Sequence, residues 1–247
     1  MKKIICLLII AFTLHTLAHA QNPPLRVAVN RFEPPFVMQG ANKQLFGYDI
    51  SMMKYICAEI QRDCNFIPMD FKNLIPALVN NEADAAIGAI GINAERALQV
   101  NFSIPYLPSY SRFLTRSNLA KEPFNPMFLD NKAIGIVSGS VFESEIRRMG
   151  IKNPDIQQYD FEGDIIDALA NEEIDLALLD APTTLYWQSK SSGLLKAYGP
   201  PMPYGFGLGI AVNRDSGNLL REINLALTKY LKSKEFKKNF SMYLEEF

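Results

Sequence analysis

The chain has almost no histidine. Of its 247 residues only two are His, and both, His15 and His19, lie in the N-terminal segment. That segment has Lys2 and Lys3, then "IICLLIIAFTL", then "AHA" at 18–20. A basic start, a short apolar run and a small-x-small motif read as a secretory signal peptide, with cleavage expected after Ala20. The apolar run is too short to cross a bilayer comfortably, and no later run is long enough. Cys6 sits inside the run rather than at the cleavage site, so no lipid anchor is expected. The mature chain then has no histidine. This excludes a Ser-His-Asp triad, a histidine general base and histidine metal ligands. No cofactor, metal site or catalytic residue is expected.

Charge of one sign is also lacking. Without Lys2 and Lys3 the 25 basic residues become 23, against 26 acidic ones, a net charge near −3. Nucleic acid is therefore not an expected partner. Cysteine is scarce: three in all, two after the leader, Cys57 and Cys64 in "CAEIQRDC". In an exported chain these should pair, and closing so short a loop is worth roughly 2–3 kcal/mol.

What remains is an alternation of β and α patterns. "LRVAVN" (25–30) reads as a strand stopped by Pro34 and Pro35, and "YDISMMKYICAEI" (48–60) has helical apolar spacing. "FIPMDF" (66–71) is strand then turn, "NLIPALVNNEAD" (73–84) a helix with proline in its first turn, and "AAIGAIGI" (85–92) a buried strand. The second half repeats the rhythm with "KAIGIVSGS" (132–140), "VFESEIRRM" (141–149), "DIQQYD" (155–160), "DIIDALANEEID" (164–175) and "LALLD" (176–180). "ALVNNEADAAIGA" and "ALANEEIDLALLD" match at a spacing of 91, through Ala77/Ala168, Leu78/Leu169, Asn80/Asn171, Glu82/Glu173 and Asp84/Asp175. Two α/β lobes built alike follow from this. Ligands of such sheets meet the carboxyl ends of the strands.

Four strand ends carry chemistry. In "GAIGINAER" (88–96), Gly88, Ala89 and Gly91 expose backbone, and Asn93 as N-cap puts Arg96 in a first helical turn, where a guanidinium suits an anion. In "VSGSVFESE" (137–145) the amides of Ser140 and Val141 open a helix and face an anion. Asp180 is either an ammonium acceptor or a helix N-cap. Glu33 sits on the loop after the first strand, and Phe71 offers an apolar wall or packs in the core. Together they describe a site for an α-amino acid.

The sequence resembles the polar amino-acid-binding proteins of bacterial ABC importers, of the arginine, lysine, histidine or glutamine type, over essentially all of its mature length. The resemblance is carried by "PPF", "FGYDI", the C-x6-C pair, "FKNLIPAL", "AERALQVNFSIPY", "GIVSGS", the Asp180 strand end and "GFGLGIAV". It implies a Venus-flytrap fold of two α/β lobes, each a mixed, mostly parallel sheet flanked by helices. Residues 21–108 and 205–247 would form one lobe and 109–204 the other, with crossovers near Leu107–Phe113 and Met202–Gly207. It implies that Arg96 holds a ligand carboxylate with the amides of Gly91 and Val141. Asp180 would hold the ammonium beside the Gly88 or Ala89 backbone, and Phe71 would line the side-chain pocket. The family often has serines at 88, 89 and 91 and threonine at 141, so hydroxyl contacts are lost here. Glu33 replaces a stacking aromatic of many basic-amino-acid binders, and Asn30 an acid of some. Glu33 then either meets a distal cation of arginine or lysine or latches the lobes. A periplasmic monomer delivering an amino acid to an inner-membrane permease is the expectation. A periplasmic dehydratase of the cyclohexadienyl or arogenate kind and a ligand sensor are the alternatives.

Overall fold

The structure, a computed structural model, describes residues 22–121 and 123–245. The expected signal peptide and its cleavage site lie outside these residues.

The chain enters through β1 (Leu25–Asn30), a hairpin of β2 (Met38–Gln39) and β3 (Leu45–Phe46), α1 (Tyr48–Glu59), β4 (Cys64–Met69), α2 (Leu74–Val79), β5 (Ala85–Ile87), α3 (Ala94–Ala97) and β6 (Val100–Phe102). It then builds β7 (Tyr110–Arg116), β8 (Ala133–Val137), α4 (Phe142–Arg148), β9 (Asp155–Tyr159), α5 (Glu162–Ala170), β10 (Leu176–Asp180), α6 (Ala181–Lys190) and β11 (Leu195–Pro203). It ends with β12 (Ala211–Asn213), α7 (Gly217–Leu231) and α8 (Lys234–Tyr243).

Two five-stranded sheets result, ordered β4-β1-β5-β12-β6 and β11-β7-β10-β8-β9. Four strands of each share a direction. The reversed strand is β12 in the first sheet and β7 in the second, since each pairs antiparallel with both neighbours. β7 and β12 are the strands that directly follow the two crossovers. The crossovers are laced together: the Ser109 hydroxyl donates to the Tyr204 carbonyl, Gly207 N donates to Ser109 Oγ at 3.2 Å, and Leu107 pairs with Leu208. Cys57 and Cys64 form a disulfide with Cα atoms 5.8 Å apart, joining α1 to β4.

The repeat has a geometric meaning. After α2 the chain turns through Asn81 at φ 57°, and after α5 through Glu172 at φ 65°. Glu82 N returns to Ala77 O at 2.8 Å, and Glu173 N to Ala168 O at 2.9 Å. Asp84 N donates to Arg26 O while Arg26 N donates to Asp84 Oδ2, each within 2.9 Å. In the other lobe Asp175 N donates to Ala133 O at 2.9 Å and Ala133 N to Asp175 Oδ2 at 3.1 Å. Each aspartate thus pins its helix-to-strand turn to the start of the neighbouring strand. Leu78 and Leu169, both fully buried, anchor the two helices, each worth roughly 1.5–3 kcal/mol of burial.

β5 ends at Ile87, short of the run through Ile92 read from the sequence. Gly88 at φ 126° and Ala89 at φ 51° turn the backbone out of the sheet. Asp49, fully buried in the first turn of α1, accepts Gly88 N at 2.9 Å, Ala89 N at 3.0 Å and the Tyr106 hydroxyl at 2.9 Å. Burial pushes its pKa up to about 6, against these three donors. In the C-terminal helices Phe236 packs on Tyr230 with ring centroids 5.8 Å apart. Phe240, one turn further on, is exposed.

Candidate ligand cleft

The carboxyl ends of β1, β5, β8 and β10 converge between the lobes. Glu33, Phe71, Ala89, Gly91, Arg96, Ser140, Val141 and Asp180 line one cavity there, together with Val137, Phe142, Leu179 and Tyr204. Its volume is about 20 Å³, so side chains of the two lobes fill most of the cleft. Among the residues expected from the sequence, Asn30 and Gly88 stand behind this lining. Asn30 reaches it through Glu33, and Gly88 turns its amide away to Asp49.

Asn93 caps α3, its Oδ1 accepting Arg96 N at 2.7 Å, which fixes Arg96 at the helix start. The side chain is 8% exposed. Nη1 donates to Gly91 O at 2.9 Å and Nη2 to Gly139 O at 3.0 Å, and the guanidinium lies 5.1 Å from the Phe71 ring centroid. Burial lowers its pKa, opposed by the charges of Tyr204 and Asp180. Among the described residues its hydrogen bonds go to carbonyls alone, with a ring face beside it, the setting in which a buried guanidinium takes a carboxylate.

Asp180 ends β10 and precedes α6 with no capping bond from its side chain. The Tyr204 hydroxyl donates to its Oδ1 at 2.5 Å instead. Burial raises its pKa to about 7; the Tyr204 hydrogen bond and Arg96 oppose this, and Asp49 adds to it. Tyr204 was not singled out in the sequence, where it is one tyrosine between Pro203 and Gly205 in the second crossover. Its ring covers Gly91, where a β-carbon would come within 2.6 Å of Cε2. The serine common in the family at 91 has no room beside this tyrosine.

Ser140 departs from expectation. Its amide donates to Val137 O at 3.1 Å, closing the glycine turn rather than facing an anion.

Glu33 bridges the lobes. Its Oε1 accepts the Thr183 hydroxyl at 3.1 Å and its Oε2 accepts Asn30 Nδ2 at 3.0 Å. Beside it lies a second buried acid that the sequence reading missed, Glu162, first residue of α5, which accepts the Trp187 indole N–H. Further inter-lobe contacts are the Lys72–Asp160 ion pair at 2.5 Å, Arg31 over the Phe161 ring at 5.3 Å, and Phe32 against Phe161 and Trp187 at 5.7 and 6.1 Å. No cluster of metal-ligating side chains occurs among the described residues. No helix among them is long and apolar enough to cross a membrane.

Known proteins share this fold. The chain is 29% identical over 229 residues to ABC transporter arginine-binding protein 1 of Escherichia coli (strain K12), covering 92% of this chain and 91% of that one. It is 28% identical over 215 residues to an arginine-binding periplasmic protein of Mannheimia haemolytica, covering 85% and 87%. The fold superposes on the crystal structure of an arginine 3rd transport system periplasmic binding protein from Legionella pneumophila with a TM-score of 0.83, at 28% identity, over 90% of this chain and 100% of that one. The family model of bacterial extracellular solute-binding proteins, family 3, matches residues 25–246, and the chain belongs to that family.

Proposed function

We propose that the protein captures an α-amino acid in the periplasm and hands it to an inner-membrane ABC importer, with arginine or lysine as the preferred ligand. The observation that carries this reading is one cleft holding a buried guanidinium, Arg96, that pairs with no carboxylate among the described residues, and a buried carboxylate, Asp180. Arg96 would take the ligand carboxylate with the Gly91 and Val141 backbone. Asp180 would take the ammonium on the oxygen that Tyr204 leaves free. Phe71 would cover the aliphatic part, and Glu33 lies on the side-chain end. Relatives that carry arginine in their names support the same choice.

The cleft is nearly filled when closed, so capture starts from parted lobes. Contacts made only on closure then favour the liganded form. The same reading puts the lobe boundaries at 108/109 and 204/205.

Calorimetric titration of the mature chain, refolded free of carried-over ligand, tests this against arginine, lysine, glutamine and glutamate. Binding of arginine or lysine near micromolar, about −8 kcal/mol, is expected. Arg96→Ala and Asp180→Ala should each abolish it, because each leaves a ligand charge unpaired in a closed cleft. Silence with all four amino acids, with turnover of prephenate or arogenate, would overturn the reading in favour of a dehydratase.

A further inference from the structure

Glu162 carries an oxygen that nothing in the ordinary hydrogen-bond network satisfies. The residue is 2% exposed. Its Oε1 accepts the Trp187 indole N–H, but its Oε2 receives no N–H or O–H donor among the described residues. The group facing it from the other lobe is the Glu33 carboxyl, 5% exposed, whose oxygens already accept from Thr183 and Asn30. Two carboxylates in contact repel, and a buried acceptor left unpaired is costly. One proton between them removes both penalties. Burial, and for Glu33 the neighbouring Glu162 and Asp180, push both acids up, Glu162 to about 8.

We propose that Glu33 and Glu162 form a two-carboxyl seat, one acid from each lobe, for the positive distal end of the ligand, and that this cation replaces the proton the two acids share. The inference rests on the amino-acid reading above and names the ligand class for that site: cationic side chains over neutral ones. It adds Glu162, a residue outside the cavity lining, as a determinant of specificity.

The charges balance. A ligand with carboxylate, ammonium and distal cation carries one net positive charge. Arg96, ionised Asp180 and a carboxyl pair sharing one proton together carry one net negative charge; when the cation arrives the pair loses that proton to solvent and becomes doubly negative. Site plus ligand then carries the same single negative charge as the empty site, the released proton balancing the ligand's positive charge. The surroundings leave the exchange to these two acids. Thr183, Tyr186 and Trp187 of α6 face them, with Asp180 and Tyr204 beyond. Arg31, the nearest cation on the β1 loop, lies over Phe161 and is paired with Asp70 at 2.6 Å. Arg96 lies on the far side, against Gly91 and Gly139.

The test is calorimetry at pH 7 in two buffers of different ionisation heat. Asp180 ionises on binding either ligand, so wild-type protein should release about one proton more per arginine bound than per glutamine. Glu162→Gln should weaken arginine at least about tenfold, leave glutamine within about threefold, and abolish the excess release with arginine. Glu33→Gln should do the same if Glu162→Gln folds poorly. Trp187 is the chain's single tryptophan and donates to Glu162. Its emission should therefore shift between pH 6 and 9 in wild type but not in Glu162→Gln. Wild-type arginine affinity in a folded Glu162→Gln protein, or arginine binding with no more proton release than glutamine, overturns the seat while leaving amino-acid capture standing. Silence of wild type toward every amino acid overturns both.

Discussion

The Tyr204 hydroxyl donates to Asp180 Oδ1 across 2.5 Å, so one oxygen of the carboxylate is held by the crossover between the lobes. This orients the acid and keeps its charged form available, since the hydrogen bond lowers a pKa that burial raises to about 7. Tyr204→Phe removes a charge-assisted hydrogen bond worth about 1.5 kcal/mol or more. Amino-acid affinity should fall about tenfold at pH 8 and further at pH 6, where the unsupported carboxyl takes up a proton. Isothermal titration at the two pH values checks this. Equal affinity of wild type and variant at both would show Tyr204 to be mere packing.

Asp49 is held by three donors, Gly88 N, Ala89 N and Tyr106 Oη, in a fully buried site. Asp49→Ala leaves them unsatisfied and frees the turn that ends β5 beside the cleft. Destabilisation of about 3 kcal/mol or more is expected, a drop in melting temperature on the order of 6–12 °C for a chain this size. A calorimetric melt of the ligand-free protein decides it.

Asp49 and Glu162 show where the sequence was opaque. The element order and the 91-residue repeat were legible because buried helices and strands write their period into apolar spacing. Arg96 was legible because a cation at the start of a helix opposes the dipole and asks for a reason. Asp180 was legible from its place after an apolar strand. Acids in the first turn of a helix satisfy the dipole and look ordinary, so Asp49 and Glu162 gave no local signal. Their significance comes from contacts 40 and 25 residues away, with Ala89 and Trp187. Tyr204 was hidden for a related reason: only the crossing of the two connections brings it over Gly91. Glu33, left open between two roles, bridges to Thr183 in this structure.

Stability of the ligand-free protein should decline as pH rises from about 5 to 8.5. Asp49, Asp180 and Glu162 have folded-state values raised to about 6, 7 and 8, and Glu33 is raised as well. Unfolded carboxyls titrate near 4. Between those limits the folded chain binds more protons than the unfolded one, so the slope of stability with pH is negative. Each net proton contributes about 1.4 kcal/mol per pH unit, or about 3–5 °C. Below pH 4 the sign reverses through Asp84, whose pKa Arg26 lowers by hydrogen bonds and charge. Melting temperatures at half-unit steps should show a maximum between about pH 4 and 5. Rising stability from pH 5 to 8 would mean that these acids are ionised in the fold at no cost.

The backbones of the two lobes come close where Gly139 meets Lys72. A β-carbon on Gly139 would lie 2.9 Å from the Lys72 α-carbon, and Gly139 itself has φ 76°. Its carbonyl also accepts Arg96 Nη2 from the opposite lobe. Nearby, Lys72 Nζ pairs with Asp160 Oδ2, yet both side chains are 44% exposed. Geometry and charge therefore predict opposite weights for two adjacent residues. Lys72→Ala removes a screened surface pair and should change ligand affinity by less than about threefold, with the difference vanishing in 1 M salt. Gly139→Ala sets a methyl against backbone on the other lobe in a conformation that side chains rarely adopt. Closure should fail, and affinity should fall at least about tenfold while circular dichroism stays that of the wild type. Small-angle scattering with saturating ligand separates the cases: Lys72→Ala should contract like wild type, and Gly139→Ala should stay expanded. If Gly139→Ala contracts and binds normally, the lobes do not close along this line of contact.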